Sequence, residues 1–133
     1  MPLLQLDHAG PALTPPQIRN LQQGLTRLMA EVLRKDPSLT VVSIRNQNPD
    51  AWSVGGHACQ SGVWTASLVA FVTAGTNTAE EIAAFIERAD RLIRACLGDD
   101  AATPLYIIVK EVDARHWGYD GRTQQARRML REN

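Results

Sequence analysis

Trp52-Ser53-Val54-Gly55-Gly56 and Trp117-Gly118-Tyr119-Asp120-Gly121 stand 65 residues apart in a chain of 133, and each follows a run with the character of a β-strand. Those runs are residues 40–47 and 105–112. Working outward, each is preceded by a helical pattern, residues 15–35 and 79–97, and each helix by another strand-like run, residues 2–7 and 63–73. Self-similarity at a fixed spacing is the mark of a repeated unit. The chain therefore reads as one domain made of two β-α-β pseudo-repeats, 1–60 and 61–121, with an arginine-rich tail at 122–133.

The helices carry the repeat independently. Thr14-Pro15-Pro16-Gln17 and Thr78-Ala79-Glu80-Glu81 both place Thr before the first helical residue and an amide or acid three positions later. That is a capping box, which satisfies amide donors the helix itself leaves open. Ile18, Leu21, Leu25, Leu28, Val32 and Leu33 form one stripe, and Ile82, Phe85, Ile86, Ala89, Leu92, Ile93 and Leu97 another, superposable at an offset of 64. One-sided stripes suit helices lying on a sheet. Val69-Ala70-Phe71-Val72 and Leu105-Tyr106-Ile107-Ile108-Val109 are unbroken apolar runs, as expected of central strands buried on both faces. A helical crossover joins parallel strands. The expected fold is α+β: a four-stranded mixed sheet, two helices on one face, and oligomerisation through the other face or the edges.

Lys plus Arg equals Asp plus Glu, so the net charge is formally zero. This gives no footprint for nucleic acid or an anionic membrane and mildly favours self-association. No apolar run is long enough to span a bilayer, and the first residues lack the pattern of a secretory signal. Cys59 and Cys96 then read as free thiols of a cytoplasmic protein, with Cys96 on the apolar face of the second helix. His57 and His116 fall in loops without metal-ligand spacing, so no metal is expected. No glycine loop with phosphate-binding spacing is present, and no cofactor is expected.

Pro2 opens the first strand. With Met1 removed, it is a secondary amine, able to act as a general base. This layout of Met-Pro before a strand, two β-α-β units and an aromatic–glycine turn after each resembles the tautomerase superfamily, in its long-chain branch with 5-carboxymethyl-2-hydroxymuconate isomerase and macrophage migration inhibitory factor. His116-Trp117-Gly118-Tyr119-Asp120-Gly121 is similar to the aromatic-Gly-x-Gly-Gly turn of 4-oxalocrotonate tautomerase, and Ile44-Arg45 to the Ile-Arg of the carboxymethyl-hydroxymuconate isomerases. The resemblance covers nearly the whole chain. It implies a homotrimer and a cofactor-independent isomerase interconverting keto and enol forms of a small 2-hydroxydienoate or α-keto carboxylate, of the kind met in aromatic-compound degradation.

The chemistry agrees with the residue types. An α-amino group titrates near pH 8, and burial or a neighbouring cation lowers that towards neutrality, where a base works best. An arginine holds a carboxylate bidentately and stabilises a developing dienolate. Pro2 is the expected base and Arg45 the expected carboxylate-binding cation. Trp117, Trp52, Arg115 and Tyr106 are the expected substrate-binding residues. Arg122 is a further candidate cation, because Gly10 is followed by Pro11 and Gly75 by Thr76, where the short-chain relatives carry an arginine. Two other readings compete. Hydration, dehalogenation or decarboxylation, as the resemblance implies, needs a further acid to activate water, from among Asp7, Asp50, Glu111 and Asp113. A non-catalytic ferredoxin-like module for ligand binding or assembly would leave Pro2 without a role. The tail, with Arg127, Arg128 and Arg131, reads as a solvated end or an oligomer clasp rather than a nucleic-acid arm.

Overall fold

The structure, a computed structural model, describes residues 2–132; Met1, whose removal the amine reading needs, and Asn133 lie outside the described residues. In chain order the elements are β1 (Leu3–Ala9), α1 (Pro15–Glu31), β2 (Val41–Gln47), β3 (Ser53–Val54), β4 (His57–Ala58), β5 (Thr65–Thr73), α2 (Ala79–Leu97), β6 (Tyr106–Val112), β7 (Gly118–Tyr119), β8 (Arg122–Thr123) and α3 (Gln124–Glu132). Four strands make one sheet in the order β2-β1-β5-β6. β1 is parallel to β2 and β5 to β6, while the central pair β1 and β5 is antiparallel. The two aromatic–glycine turns each open a small hairpin, β3 with β4 and β7 with β8.

Both capping boxes are formed. Thr14 and Thr78 accept from the amides of Gln17 and Glu81, and those side chains reach back to the cap amides. The helix expected over 15–35 stops at Glu31, because Arg34 turns left-handed at φ 58 and the Lys35 amide bonds back to the Met29 carbonyl at 3.0 Å. A left-handed residue that returns an amide to the last turn ends a helix. Two contacts fix α1 and α2 as antiparallel. Gln17 at the start of α1 donates to the Cys96 carbonyl near the end of α2, and Arg34, just past α1, pairs with Glu81 in the first turn of α2. Midway, a side chain at Gly24 would press into Leu92, so the missing Cβ allows the helices to approach.

Strand alternation divides the sheet. Leu4, Leu6, Ala66, Leu68, Ala70 and Val72 point towards the helices and form the core with Leu21, Leu25, Met29, Phe85, Ala89 and Ile93. Cys96 packs at its margin, and burial pushes its thiol pKa up. The opposite face carries Leu3, Gln5, Asp7, Val69, Phe71 and the outward residues of β2 and β6. One expectation is corrected here. The run 105–109 is an edge strand, not a central one. Its alternate residues Leu105, Ile107 and Val109 pack against the core, but Tyr106 is 64% exposed and Ile108 47% exposed on the open face. An unbroken apolar run needs cover on both sides, and one chain covers only one. Val41, across the sheet, is 45% exposed on the same face.

Within the arginine-rich tail, Gln124–Glu132 form a helix. Thr123 Oγ1 accepts from the Ala126 amide at 3.0 Å, which caps α3. No helix among the described residues is long and apolar enough to cross a membrane.

Candidate active site

Pro2 lies buried at the start of β1, where its carbonyl accepts the Val41 amide at 3.2 Å and begins the ladder to β2. Because Leu3 pairs with Phe71, Pro2 sits at the end of the sheet where β5 finishes in Thr73. The antiparallel fit of the repeats brings three further segments to that end: the turn after α1, the turn before α2, and the β7–β8 hairpin.

The turn after α1 supplies Lys35. Its Nζ donates to Thr76 Oγ1 at 2.7 Å, and Thr76 Oγ1 donates to the Thr73 carbonyl at 2.7 Å. Asn77 Nδ2 ties the same turn down through the Leu33 carbonyl at 2.9 Å. Burial, first of all, and the charges of Arg34 and Arg128 hold the Lys35 pKa below its ordinary value, against the opposing pull of Glu81 and Glu111. Among the described residues no carboxylate oxygen lies within 4.0 Å of this ammonium. A partly buried cation without an anion is a ready receptor for a carboxylate.

The hairpin supplies Trp117. Its indole Nε1–H donates to Thr73 Oγ1 at 3.2 Å, which fixes the ring at the Pro2 end. The turn depends on Gly118, since a Cβ there would overlap the Arg122 carbonyl. Beyond Trp117 lies an open cleft of about 430 Å³ along Arg115–Thr123. Arg115 is held by Asp113 through a hydrogen bond at 3.0 Å and another at 2.8 Å. That partner keeps the Asp113 carboxyl far below the ordinary carboxylate range and raises the Arg115 pKa. Arg122 lines the cleft as well.

The other expected residues stand elsewhere in the protomer. Arg45 pairs with Asp7 across β2 and β1, Nε to Oδ1 at 2.8 Å and an Nη to Oδ2 at 3.2 Å. Asp7 is five residues along β1 from Pro2, about 16 Å at a strand's rise, so Arg45 does not meet the amine of its own chain. Trp52 follows β2 at that same far end. Tyr106, expected as a substrate-binding residue, faces outward from the sheet. The structure thus gathers Pro2 and Trp117 with Lys35, Thr73 and Thr76, and separates them from Arg45, Trp52 and Tyr106.

Lys35 is the residue that sequence reading passed over, although the chain held a signal. It has only two lysines among fourteen basic residues. Lysine, unlike arginine, shifts its pKa readily on burial, and this one directly follows a helix aimed back at Pro2. Among the described residues no cluster of three or more His, Cys, Asp or Glu could hold a metal ion.

Comparison with known proteins places this arrangement in a class. No family model matches the chain. Over 58 residues it is 33% identical to probable tautomerase K2 of Dickeya dadantii, a span covering 44% of this chain and 87% of that protein, about the length of one β-α-β unit. Among solved structures, a fused 4-OT described as a wild-type symmetric trimer superposes with a TM-score of 0.79 at 19% identity, covering 94% of this chain and 98% of that one. Pt0534 inactivated by 2-oxo-3-pentynoate gives 0.81 at 11% identity, with coverage of 94% and 98%. A macrophage migration inhibitory factor-like protein of Entamoeba histolytica gives 0.72 at 15% identity, with coverage of 92% and 97%. The chain belongs to the tautomerase superfamily, and its fold is that of the doubled β-α-β members.

Proposed function

We propose that this protein is a cofactor-independent keto–enol tautomerase of a small 2-hydroxydienoate or α-keto carboxylate, with the Pro2 amine as general base once Met1 is removed. The observation that carries the reading is the convergence on the buried Pro2 end of an ammonium, Lys35, with no carboxylate oxygen within 4.0 Å among the described residues, and an indole, Trp117. Lys35 binds the substrate carboxylate and draws electron density towards it. The amine takes the 2-hydroxyl proton, the electrons move through the diene as a dienolate, and the ammonium returns that proton to carbon. Nothing is gained or lost by the enzyme, so no cofactor is required. Lys35 also favours the neutral amine by like-charge repulsion, and Trp117 keeps water from the dienolate.

The working form in this proposal is a cytoplasmic trimer. The fused 4-OT relative is described as a trimer, and the uncovered sheet face with Val41, Tyr106 and Ile108 is the surface such an assembly would bury. Arg45 lies on that face, so any part it takes in catalysis is in a neighbour's site.

Mass analysis of the N-terminus, together with Pro2→Ala, tests the base. The variant exchanges the secondary amine for the less basic primary amine of alanine, and kcat/KM on phenylenolpyruvate or 2-hydroxymuconate is expected to fall, by up to about 10²- to 10⁴-fold. Full activity of Pro2→Ala, with Met1 absent from the wild-type protein, overturns the mechanism.

A further inference from the structure

A cavity of about 120 Å³ opens at the end of the sheet opposite Pro2. Its walls come from His8 near the end of β1, from the start of α1, from the end of α2 and from Trp64 just before β5. His8 continues the alternation of Leu4 and Leu6, so it points to the helix side, and it is 2% exposed. The walls are tied to one another. The Trp64 indole donates to the Gly98 carbonyl at 3.2 Å, the Trp64 amide to the Asp100 carbonyl at 3.0 Å, and Gln17 Nε2 to the Cys96 carbonyl at 3.3 Å.

The polar groups left over share one character. Gln17 is spent, because its Oε1 accepts the Thr14 amide while its Nε2 serves Cys96. The indole N–H is spent on Gly98, so Trp64 has only its ring to offer. His8 stands beside Asn46 in the β1–β2 register, and Asn46 is its hydrogen-bond partner. Burial keeps the imidazole neutral at pH 7, with one donor and one acceptor nitrogen. The bond to Asn46 opposes the burial shift, as donation from the ring N–H does, and this leaves the acceptor nitrogen free. Asp99 and Asp100 also line the cavity, and among the described residues no cationic nitrogen lies within 4.0 Å of either. Neither lysine nor arginine lines it. The end of α2 adds the negative pole of a 19-residue helix, while the first amides of α1 are answered by its capping box.

Carboxylates without a partner, a buried acceptor nitrogen, an indole ring and a helix C-terminus all favour a cation. Among the described residues no cluster could hold a metal ion, which turns the reading to an organic cation. Leu13 and Leu97 complete the wall and suit a short hydrocarbon. At roughly 30 Å³ for each water-sized group, the space takes about four heavy atoms. We infer that this cavity is a binding site for a short primary alkylammonium. The ammonium lies between the carboxylates and the His8 nitrogen, and its chain lies against Leu13 and Leu97. The site is separate from the Pro2 end and does not depend on the tautomerase reading.

The test is a titration of the full chain, followed through the indole N–H resonances of Trp64 and Trp117. The probes are propylammonium chloride, sodium propionate of the same length and opposite charge, and potassium chloride, all at one ionic strength. Propylammonium is expected to shift the Trp64 resonance saturably and to leave Trp117 in place, and neither other salt should do so. Asp99→Asn combined with Asp100→Asn removes two exposed carboxylates and is expected to raise the dissociation constant about three- to tenfold. His8→Phe removes the buried acceptor and is expected to raise it about tenfold or more. Circular dichroism checks each fold, and if His8→Phe unfolds, the exposed carboxylate pair decides. The inference is overturned if propylammonium gives no saturable shift at Trp64, if propionate or potassium reproduces the shift, if Trp117 moves instead, or if the carboxylate variant binds as tightly as wild type.

Discussion

Replacing Lys35 by Met separates a catalytic cation from a structural one. The substitution keeps length and apolar stem but removes the ammonium and its 2.7 Å bond to Thr76. Thr76 keeps its own donation to the Thr73 carbonyl, so the turn retains a tie. Losing one partly exposed hydrogen bond costs about 1 kcal/mol. Against that, the variant no longer buries a charge, a cost visible in the lowered Lys35 pKa. The two effects oppose each other, and urea denaturation at pH 7 is expected to find stability within about 1 kcal/mol of wild type. Activity is expected to behave differently. A charge-assisted contact to a carboxylate is worth about 1.5–3 kcal/mol, so kcat/KM should fall about 10- to 150-fold. The pH dependence adds a second readout. Folded Lys35 releases its proton below the ordinary lysine value, so between those two pH values the unfolded chain holds more protons and wild-type stability rises with pH. Over the same window the carboxylate anchor is lost, which places the alkaline limb of kcat/KM below the range of a free lysine. Lys35→Met should lack both the rise in stability and that limb. An unchanged kcat/KM, or a loss of stability large enough to account for the lost activity, would refute the reasoning.

Three other outcomes are expected. Tyr106→Asp or Ile108→Asp puts a charge on the open sheet face where an apolar side chain is worth about 1.5–3 kcal/mol on burial, so light scattering should find the oligomer dissociated; an unchanged mass means that the assembly uses another surface. Gly118→Ala should lower stability by about 1–3 kcal/mol, as overpacking does, and shift tryptophan fluorescence as the hairpin loses its grip on Thr73; wild-type fluorescence and stability would count against the close approach at Gly118. Burial depresses the pKa of His8, partly offset by Asn46, so between its ordinary 6.5 and the lower folded value the unfolded chain holds more protons and stability falls with falling pH; urea titrations at several pH values should find less of this loss in His8→Gln, and an identical profile would remove His8 as a contributor.

What could be read from the chain was local or periodic. Thr14 and Thr78 announced the helix starts through chemistry complete within four residues, and α2 ran over its expected span. The unbroken run Val69-Ala70-Phe71-Val72 was enough to place β5 in the centre. The β6 error has the same root: Tyr106 and Ile108 look like core residues because they are apolar, and only the assembled sheet reveals which face lacks cover. That Arg45 stands apart from the Pro2 of its own chain was hidden for a different reason. Its partner Asp7 is 38 residues away, and the parallel register that joins them is a property of the sheet. Lys35 and α3 depended on both kinds of information. A left-handed Arg34 is hard to foresee without a glycine, and α3 holds its place through bonds to Trp117, Ala114 and Tyr119 rather than through a long apolar stripe.

The repeat also explains why one chain should hold one site rather than two. At an offset of 64, Arg34 corresponds to Gly98, and both turn left-handed, at φ 58 and φ 98. Lys35 then corresponds to Asp99, followed by Asp100, so the cation of the first unit stands where the second has carboxylates. Pro2 corresponds to Ala66, which is buried mid-chain and has no free amine. Just before it, Trp64 is buried, with its indole donating to the Gly98 carbonyl at 3.2 Å. The pocket left at that end is about 120 Å³, lined by His8, Trp64, Asp99 and Asp100 among others. That end has no chain-start amine, Asp99 and Asp100 would repel a substrate carboxylate, and the Trp64 indole lines the space. Doubling the unit preserved the scaffold at both ends of the sheet and, in our reading, kept the chemistry only where the chain begins.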